Sequence, residues 1–251
     1  MRTESSRALC IAILCFGLAF CSSAPKEKAI DDESNPEYQF KKANVALNYG
    51  LPEQAVQYIE RTLELDPEHY QALNLLGIVY LKLEDIPAAV SAFERCVEIK
   101  PDFADGHYNL ATVYEKLNRI DDAVSAYRRS LDVGDPKDAR ISLSKLLFNQ
   151  GKLEEALDII EKSEEESVSV FNLKGVILNK MERYDEAIRA FDRAIQISPK
   201  DIVTRMNLGI ALVNSGNYER ARKVFEYILP YVEDKVLKDR ITQYLDLIKK
   251  R

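Results

Sequence analysis

Few side chains in this 251-residue sequence have the types and spacing that catalysis requires. Its two histidines, His69 and His107, do not stand at metal-ligand spacing from each other or from a cysteine. His69 falls in a predicted turn and is expected to be solvated, whereas His107 is expected to pack. The nine glycines are scattered, so no phosphate loop or nucleophile elbow is formed. We therefore predict no catalytic residue, metal site or cofactor, and binding is favoured.

Charge and cysteine usage narrow the class of protein further. The net charge is −6 and no Lys/Arg run is present, so the sequence carries no footprint for nucleic acid. Two of the four cysteines, Cys10 and Cys15, fall in an apolar leader, which excludes a disulfide framework in the mature chain. Cys96 occupies a small-residue position of a predicted helix and is expected to be a buried, inert thiol.

The first 21 residues are interpreted as an export signal. Residues 8–20 form an almost unbroken apolar run, which has the length of a signal-peptide core and is short for a membrane span. The run ends in Leu18-Ala19-Phe20-Cys21, which resembles the lipobox of bacterial lipoproteins, although Phe20 stands where that pattern has a small residue. The resemblance implies an acylated Cys21 that anchors the chain to a membrane. Ordinary cleavage near residues 22–24 and a retained anchor are the alternatives.

Residues 22–35 are mostly polar and charged, with one Ile. Such a stretch cannot bury enough apolar surface to offset its ordering entropy, so it is predicted to be a disordered tether. As a flexible chain it would reach roughly 20 Å from the anchor. The predicted location is the periplasmic side of the cell envelope. Because Ser22 follows the cysteine, the lipoprotein resemblance favours the outer membrane over the inner one.

A repeat of about 34 residues dominates the rest of the chain. Six copies can be phased, each with two amphipathic helices joined by a short turn. The second helix of every copy carries an alanine and, four residues later, a bulky side chain. The alanines are Ala55, Ala89, Ala123, Ala156, Ala187 and Ala221, and the bulky residues are Ile59, Phe93, Tyr127, Ile160, Phe191 and Phe225. This pattern predicts closely packed helix pairs.

These positions resemble the tetratricopeptide repeat, which has small residues at its eighth and twentieth places, a bulky one at the twenty-fourth and proline at the thirty-second. The resemblance covers residues 36–233, divided as 36–69, 70–103, 104–136, 137–167, 168–201 and 202–233. It implies an all-α fold, a right-handed α-solenoid of about six helix-turn-helix repeats. Residues 234–251 are predicted to form a C-terminal capping helix.

The fourth copy departs most from the pattern, because it lacks the closing proline. Its second helix is expected to run into Glu164, Glu165 and Glu166, and three carboxylates at a helix C-terminus oppose the helix dipole. A frayed, solvated end is one interpretation. A hinge between the third and fifth repeats, or an acidic docking spot, is the other.

The resemblance further implies a concave face lined mainly by the first helices, where the second, fifth, ninth and twelfth places of each copy are exposed. The predicted partner-binding residues are Phe40, Asn44, Asn74, Ile78, Tyr108, Thr112, Ile141, Lys145, Asn172 and Val176, continued by Met206 and Ile210. Amides and apolar side chains with few charges suit an extended or helical peptide. A carboxylate clamp is disfavoured, since Phe40 and Leu75 stand where that clamp has Lys and Asn.

The predicted function is a non-catalytic interaction scaffold or adaptor of the bacterial cell envelope, with a protein or peptide partner on the concave face. Leader, tether and repeats together resemble the pilot lipoproteins that assist assembly of the type IV pilus secretin. Two alternatives stay open. One is a regulatory subunit that docks a cell-wall or cytochrome-maturation enzyme, and the other is a lipid or small-molecule carrier.

Overall fold

The computed structural model describes residues 33–136 and 138–251. In these ranges the chain forms thirteen α-helices, one short 3-10 helix and no strand. The predicted signal peptide, Cys21 and residues 22–32 of the predicted tether lie outside the described residues. None of the helices in the described ranges combines the length and the hydropathy that a membrane span needs.

Each repeat is a pair of packed helices. The first helices are α1 (Pro36–Asn48), α3 (Tyr70–Lys82), α5 (Ala104–Lys116), α7 (Ala139–Asn149), α9 (Val168–Lys180) and α11 (Ile202–Asn214). The second helices are α2 (Pro52–Leu65), α4 (Ile86–Ile99), α6 (Ile120–Val133), α8 (Leu153–Glu161), α10 (Tyr184–Ile197) and α12 (Tyr218–Ile228). A 3-10 turn (Leu229–Tyr231) and α13 (Lys235–Lys249) follow. The predicted all-α solenoid of helix pairs is confirmed.

The six turns inside the repeats share one backbone geometry. Each passes through a left-handed residue, either glycine, as at Gly50 (φ 72°), or a polar residue, as at Glu84 (φ 61°) and Asn118 (φ 56°). The N–H of the next residue then donates to the carbonyl five residues back, as from Asp85 to Tyr80 at 2.9 Å. This bond closes the end of the first helix. The polar residues accept the left-handed backbone at a cost of about 1 kcal/mol each.

Within each repeat the first and second helices approach closely at one small residue. A Cβ added at Gly77 would lie 2.6 Å from the ring of Phe93, and one at Gly209 would lie 2.5 Å from the ring of Phe225. At these distances a Cβ would clash with the ring carbons, so only glycine fits beneath the phenylalanine. The predicted alanines and bulky residues of all six second helices are buried.

The fourth repeat is shorter than its neighbours. Its helices α7 and α8 have 11 and 9 residues, against 13 and 14 in α5 and α6. The expectation that the second helix continues into Glu164–Glu166 is wrong, because α8 ends at Glu161. Adjacent carboxylates repel one another and the negative end of the dipole, so they favour a solvated loop. Glu166 pairs with Arg193 of the fifth repeat at 3.2 Å. The hinge stays a prediction.

The first helices lie on the inner side of the stack. Neighbouring first helices contact one another, α3 with α5, α7 with α9 and α9 with α11. Between second helices, no contact of this extent occurs in residues 33–136 and 138–251. Because the first helices of neighbouring repeats lie closer together than the second helices, the stack is curved. The first helices therefore line its concave face.

Candidate functional site: the concave face of the first helices

The predicted binding residues lie along the first helices, at two places one turn apart in each repeat. Most are half-buried, so one side packs on the stack while the other faces the groove: Phe40, Asn44, Asn74, Ile78, Tyr108, Thr112, Asn172, Val176 and Ile210. Lys145 is exposed. It is the one charged side chain among the fifth and ninth places, and the exposed Glu115 adds a carboxylate at the twelfth place of the third repeat.

Ile141 does not lie on an open surface, and its assignment as a binding residue is corrected. It is 7% exposed and belongs to the hydrophobic core, together with Leu173 of the next repeat. Met206, at the equivalent place of the sixth repeat, is 5% exposed. Burial of apolar surface is favourable, so aliphatic side chains at the fifth place turn into the stack. The asparagines at the same place, Asn74 and Asn172, are half-buried and their side-chain amides face the groove.

Two identical asparagine pairs join neighbouring repeats along the groove. Asn109 Nδ2 donates to Asn74 Oδ1 at 2.8 Å, and Asn207 Nδ2 donates to Asn172 Oδ1 at 3.0 Å. In both pairs the acceptor is at the fifth place of one repeat and the donor is at the sixth place of the next. The bond occupies the amide oxygen of Asn74 and Asn172 and fixes the direction of their NH₂ groups.

Asn109 and Asn207 were not among the predicted site residues. The signal that could have found them is a spacing of 35 residues, one more than the repeat, which separates the two members of each pair. A third pair with this spacing, Asn179 and Asn214, forms the same bond at 3.1 Å near the ends of α9 and α11. The repeat period alone aligns equivalent places, so it does not reveal a bond between different places.

The third repeat has a cluster of hydroxyl groups in the groove. Tyr127 lies under Tyr108, with ring centroids 5.7 Å apart, and its hydroxyl lies 3.3 Å from Thr112 Oγ1. The same hydroxyl donates to Glu115 Oε2 at 3.2 Å. Burial raises the pKa of Tyr127 to about 12. Tyr127 therefore stays protonated and holds Tyr108 and Thr112 in place from below.

His69 is buried, at 4% exposure, and the expectation that it is solvated is wrong. Its Nδ1 accepts from the N–H of Ala72 at 3.1 Å and thereby caps α3, while its ring lies 4.8 Å from that of Phe40. A turn residue that caps a helix is held against the fold, which is why it is not solvated. His107 is buried as predicted, with Nε2 2.9 Å from the carbonyl oxygen of Pro101.

Cys96 is buried, as predicted. Its thiol donates to the carbonyl of Tyr70 at 3.2 Å, and burial raises its pKa to about 12, which disfavours the reactive thiolate. No group of three His, Cys, Asp or Glu side chains suited to a metal ion occurs in the described part of the chain. The geometry provides a groove in which oriented amide groups alternate with apolar side chains.

Comparison with known families identifies the repeat. Sequence models of the tetratricopeptide repeat match residues 40–102, 92–125 and 178–235, which together span more than half of the chain. A model described as anaphase-promoting complex, cyclosome, subunit 3 matches residues 116–194. The chain is a tetratricopeptide repeat protein, a class of interaction scaffold. A search of curated protein sequences finds no match.

Solved structures show the same fold. YrrB, described as a tetratricopeptide repeat protein with an unusual peptide-binding site, is 25% identical over 69% of this chain and 91% of its own, with a TM-score of 0.58. PilW, a widely conserved type IV pilus biogenesis factor, is 17% identical over 85% and 97%, with a TM-score of 0.65. Pseudomonas aeruginosa PilF is 16% identical over 84% and 98%, with a TM-score of 0.68.

Proposed function

We propose that this chain is a non-catalytic adaptor of the bacterial cell envelope, which binds an extended segment of a partner polypeptide in its concave groove. The observation that carries the binding part is the repeated asparagine pair. Asn74 and Asn172 each have their oxygen occupied by the neighbouring repeat. Their NH₂ groups have no hydrogen-bond partner among the described residues, so they are available as donors to a ligand.

The chemistry of the groove matches that of an extended peptide. Backbone carbonyl groups are the acceptors that oriented amide donors need, and they recur along any extended chain. Half-buried Ile78 and Val176 lie one turn beyond Asn74 and Asn172 and offer apolar contacts for the side chains of the peptide. The similarity to YrrB, which has a peptide-binding site, supports this assignment.

The envelope part of the proposal rests on the leader. Residues 8–20 and the lipobox-like end at Cys21 favour export, an acyl anchor and a location at the outer membrane. A tethered interaction scaffold at that membrane suits assistance in assembling an outer-membrane complex, such as the pilus secretin. PilW and PilF share the fold at 16–17% identity, which is compatible with this role and supports the fold alone.

The groove is tested by replacing two of its residues together, Asn74→Ala and Tyr108→Ala, in the full-length protein expressed in its host. Affinity purification from detergent-solubilised envelopes should yield a reproducible partner with the wild type and much less of it with this variant. The matched control, Asn149→Ala with Tyr231→Ala, removes the same residue types from exposed positions outside the fifth and ninth places. Equal capture by all three proteins would exclude the groove as the binding site.

The anchor is tested separately by mass spectrometry of the mature N-terminus. A diacylglyceryl group on Cys21 is the expected result, and it should disappear in Cys21→Ser. An N-terminus that begins after Cys21 without lipid would overturn the anchor while leaving the groove untouched. The identity of the captured protein then distinguishes the adaptor from the alternatives: an envelope or pilus component supports it, whereas an enzyme or a bound lipid contradicts it.

A further inference from the structure

The first repeat exposes a surface that every later repeat buries. At the tenth place of the first helix, Val79, Val113 and Ile177 are 0% exposed, because the preceding repeat packs on them. Leu146 and Ala211 at the same place are also buried. Val45, the tenth residue of the first repeat, is 53% exposed. This end of the stack therefore presents an inter-repeat interface that nothing in the described part of the chain covers.

The exposed surface forms a shallow cleft along α1 and the start of α2, with a volume of about 470 Å³. We call it the N-terminal face, formed by Tyr38, Lys41, Lys42, Val45, Tyr49 and Tyr58. Tyr49 is 79% exposed. Exposed clusters of tyrosine and aliphatic side chains mark interaction surfaces, since large rigid side chains give much contact area at little entropic cost.

The shape of the N-terminal face excludes an ordinary repeat as its occupant. At the third place of the first helix, the later repeats have residues smaller than tyrosine, which are Ala72, Gly106, Ala139, Val170 and Thr204. A Cβ on Gly106 would lie 3.1 Å from Val97 and 3.3 Å from Cys96 of the preceding α4. The first repeat has Tyr38 there. A helix at the usual distance would collide with this ring, so the occupant lies farther out, on a shelf of tyrosine side chains.

The charges of the N-terminal face are all positive. Lys42 lies 4.6 Å from the ring centroid of Tyr58 and 5.4 Å from that of Tyr38, and Lys41 is exposed beside it. No Asp or Glu lines this cleft, although the chain as a whole carries a charge of −6. Glu33 pairs with Lys42 from its edge at 3.0 Å. A partner with acidic groups at its rim complements this face.

Charge and composition also argue against two other occupants. A two-fold dimer through this face would place Lys41 and Lys42 of both copies in one small interface, and like charges in one interface oppose association. The chain's own residues 22–32 contain Ala24, Ala29 and Ile30 as their apolar side chains, too few for a helix stripe that could cover it.

We infer that the N-terminal face docks an amphipathic helix of a second protein, whose apolar stripe is flanked by acidic residues. A helix is the occupant because this cleft is the continuation of the surface on which each later repeat receives the helices of its neighbour. The apolar stripe lies along Val45 and Tyr49, and the acidic flank meets Lys41 and Lys42. This surface lies at the end of the stack and is separate from the concave groove of the proposed function.

The test uses three stapled helices of about four turns that share one leucine stripe and differ only in their flanks, which are Glu, Gln or Lys. Fluorescence anisotropy with the full mature protein should show that the Glu helix binds about tenfold more tightly than the Lys helix. Lys41→Glu with Lys42→Glu should reverse that order. Val45→Ser with Tyr49→Ser should abolish binding, whereas the groove variant Asn74→Ala with Tyr108→Ala should bind like the wild type.

Several outcomes would overturn the inference. Binding that survives the Val45 and Tyr49 changes, or that is lost in the groove variant, would place the helices in the groove. Equal binding of the Glu, Gln and Lys helices would contradict a partner with acidic flanks. Self-association in analytical ultracentrifugation that the Val45 and Tyr49 changes abolish would assign the face to a second copy. Stronger binding to vesicles of phosphatidylethanolamine and phosphatidylglycerol than to the Glu helix would assign it to a membrane surface.

Discussion

The two ends of this stack are finished differently. At the C-terminal end α13 covers the last repeat: Ile241 is fully buried, and Tyr244 stacks on Phe225 with ring centroids 5.2 Å apart. At the N-terminal end Val45 and Tyr49 remain exposed among the described residues. A solenoid gains stability from each interface between neighbours, so an uncovered end forgoes one such contribution. The C-terminal end is therefore closed by the chain itself, whereas the N-terminal end presents an apolar surface rich in tyrosine.

The largest effect is expected at the closed end. Ile241→Ala removes the most buried side chain of α13 and should lower the free energy of unfolding by about 2–5 kcal/mol, because it leaves a cavity against the last repeat. Urea unfolding followed by circular dichroism measures the change. Leu247→Ala on the same helix, at a residue that is 43% exposed, is the control and should change stability by less than about 0.5 kcal/mol.

Equal effects of these two substitutions would show that α13 is loosely attached and does not close the stack. A further check is the effect on the far end. The repeats interact only with their neighbours, so Ile241→Ala should speed hydrogen exchange in α12 and leave α1 unchanged.

A smaller effect is expected from the contact beneath the closing helix. Gly209→Ala places a Cβ 2.5 Å from the ring of Phe225 and should destabilise by about 1–3 kcal/mol, because the ring must move. Phe225→Ile added to Gly209→Ala should recover part of the loss. That combination copies the first repeat, where Ala43 and Ile59 occupy the same two places and both are 0% exposed.

Additive losses in this double variant would contradict the view that the two side chains share one space. The same single substitution at Gly175, where a Cβ would lie 2.6 Å from Phe191, has a covered repeat on both sides. A larger loss of stability from Gly175→Ala than from Gly209→Ala would show that the last repeat adjusts to the added Cβ more easily than the fifth repeat.

In the middle of the stack, the buried Tyr127 should make stability depend on alkaline pH. The pKa of Tyr127 is raised from 10.0 to about 12, mainly by burial, so folding favours the protonated phenol. The resulting stabilisation is fully present below pH 10 and is lost as the pH rises towards 12, by on the order of 2 kcal/mol. Tyr127→Phe should remove this component, which urea unfolding at pH 9 and pH 11.5 measures in both proteins. An identical alkaline loss in both would contradict it.

The asparagine pairs allow the same bond to be broken near each end. Asn109→Ala and Asn207→Ala each remove one donor from a half-buried amide oxygen, so each should cost about 1 kcal/mol. Denaturant unfolding of the two variants side by side measures the two costs. A difference of more than about twofold between the two costs would show that the two asparagine pairs stabilise the groove unequally. The half with the larger cost would be the more preorganised one and should bind a peptide more tightly.

Much of the fold could be predicted from the sequence, because its signals are local. The spacing of apolar residues and the alanine of each second helix depend on neighbours along the chain. The burial of Ile141 and His69 could not be predicted in this way, because it depends on which elements close over them. The bond between Asn74 and Asn109 joins different places of two repeats, so alignment of the copies conceals it. The exposure of Val45 could not be predicted either, because it depends on whether another element packs against the first repeat.

The smallest effect is expected at the open end. Val45→Ser with Tyr49→Ser should change the free energy of unfolding by less than about 0.5 kcal/mol, because both side chains already contact water. The matched change Val79→Ser, at the same place of the second repeat, puts a hydroxyl into a fully buried position and should cost more than about 2 kcal/mol. Chemical denaturation of the full mature protein measures both. A large loss from the Val45 and Tyr49 changes would mean that this end is covered within the protein itself, and the contrast between the two ends would then disappear.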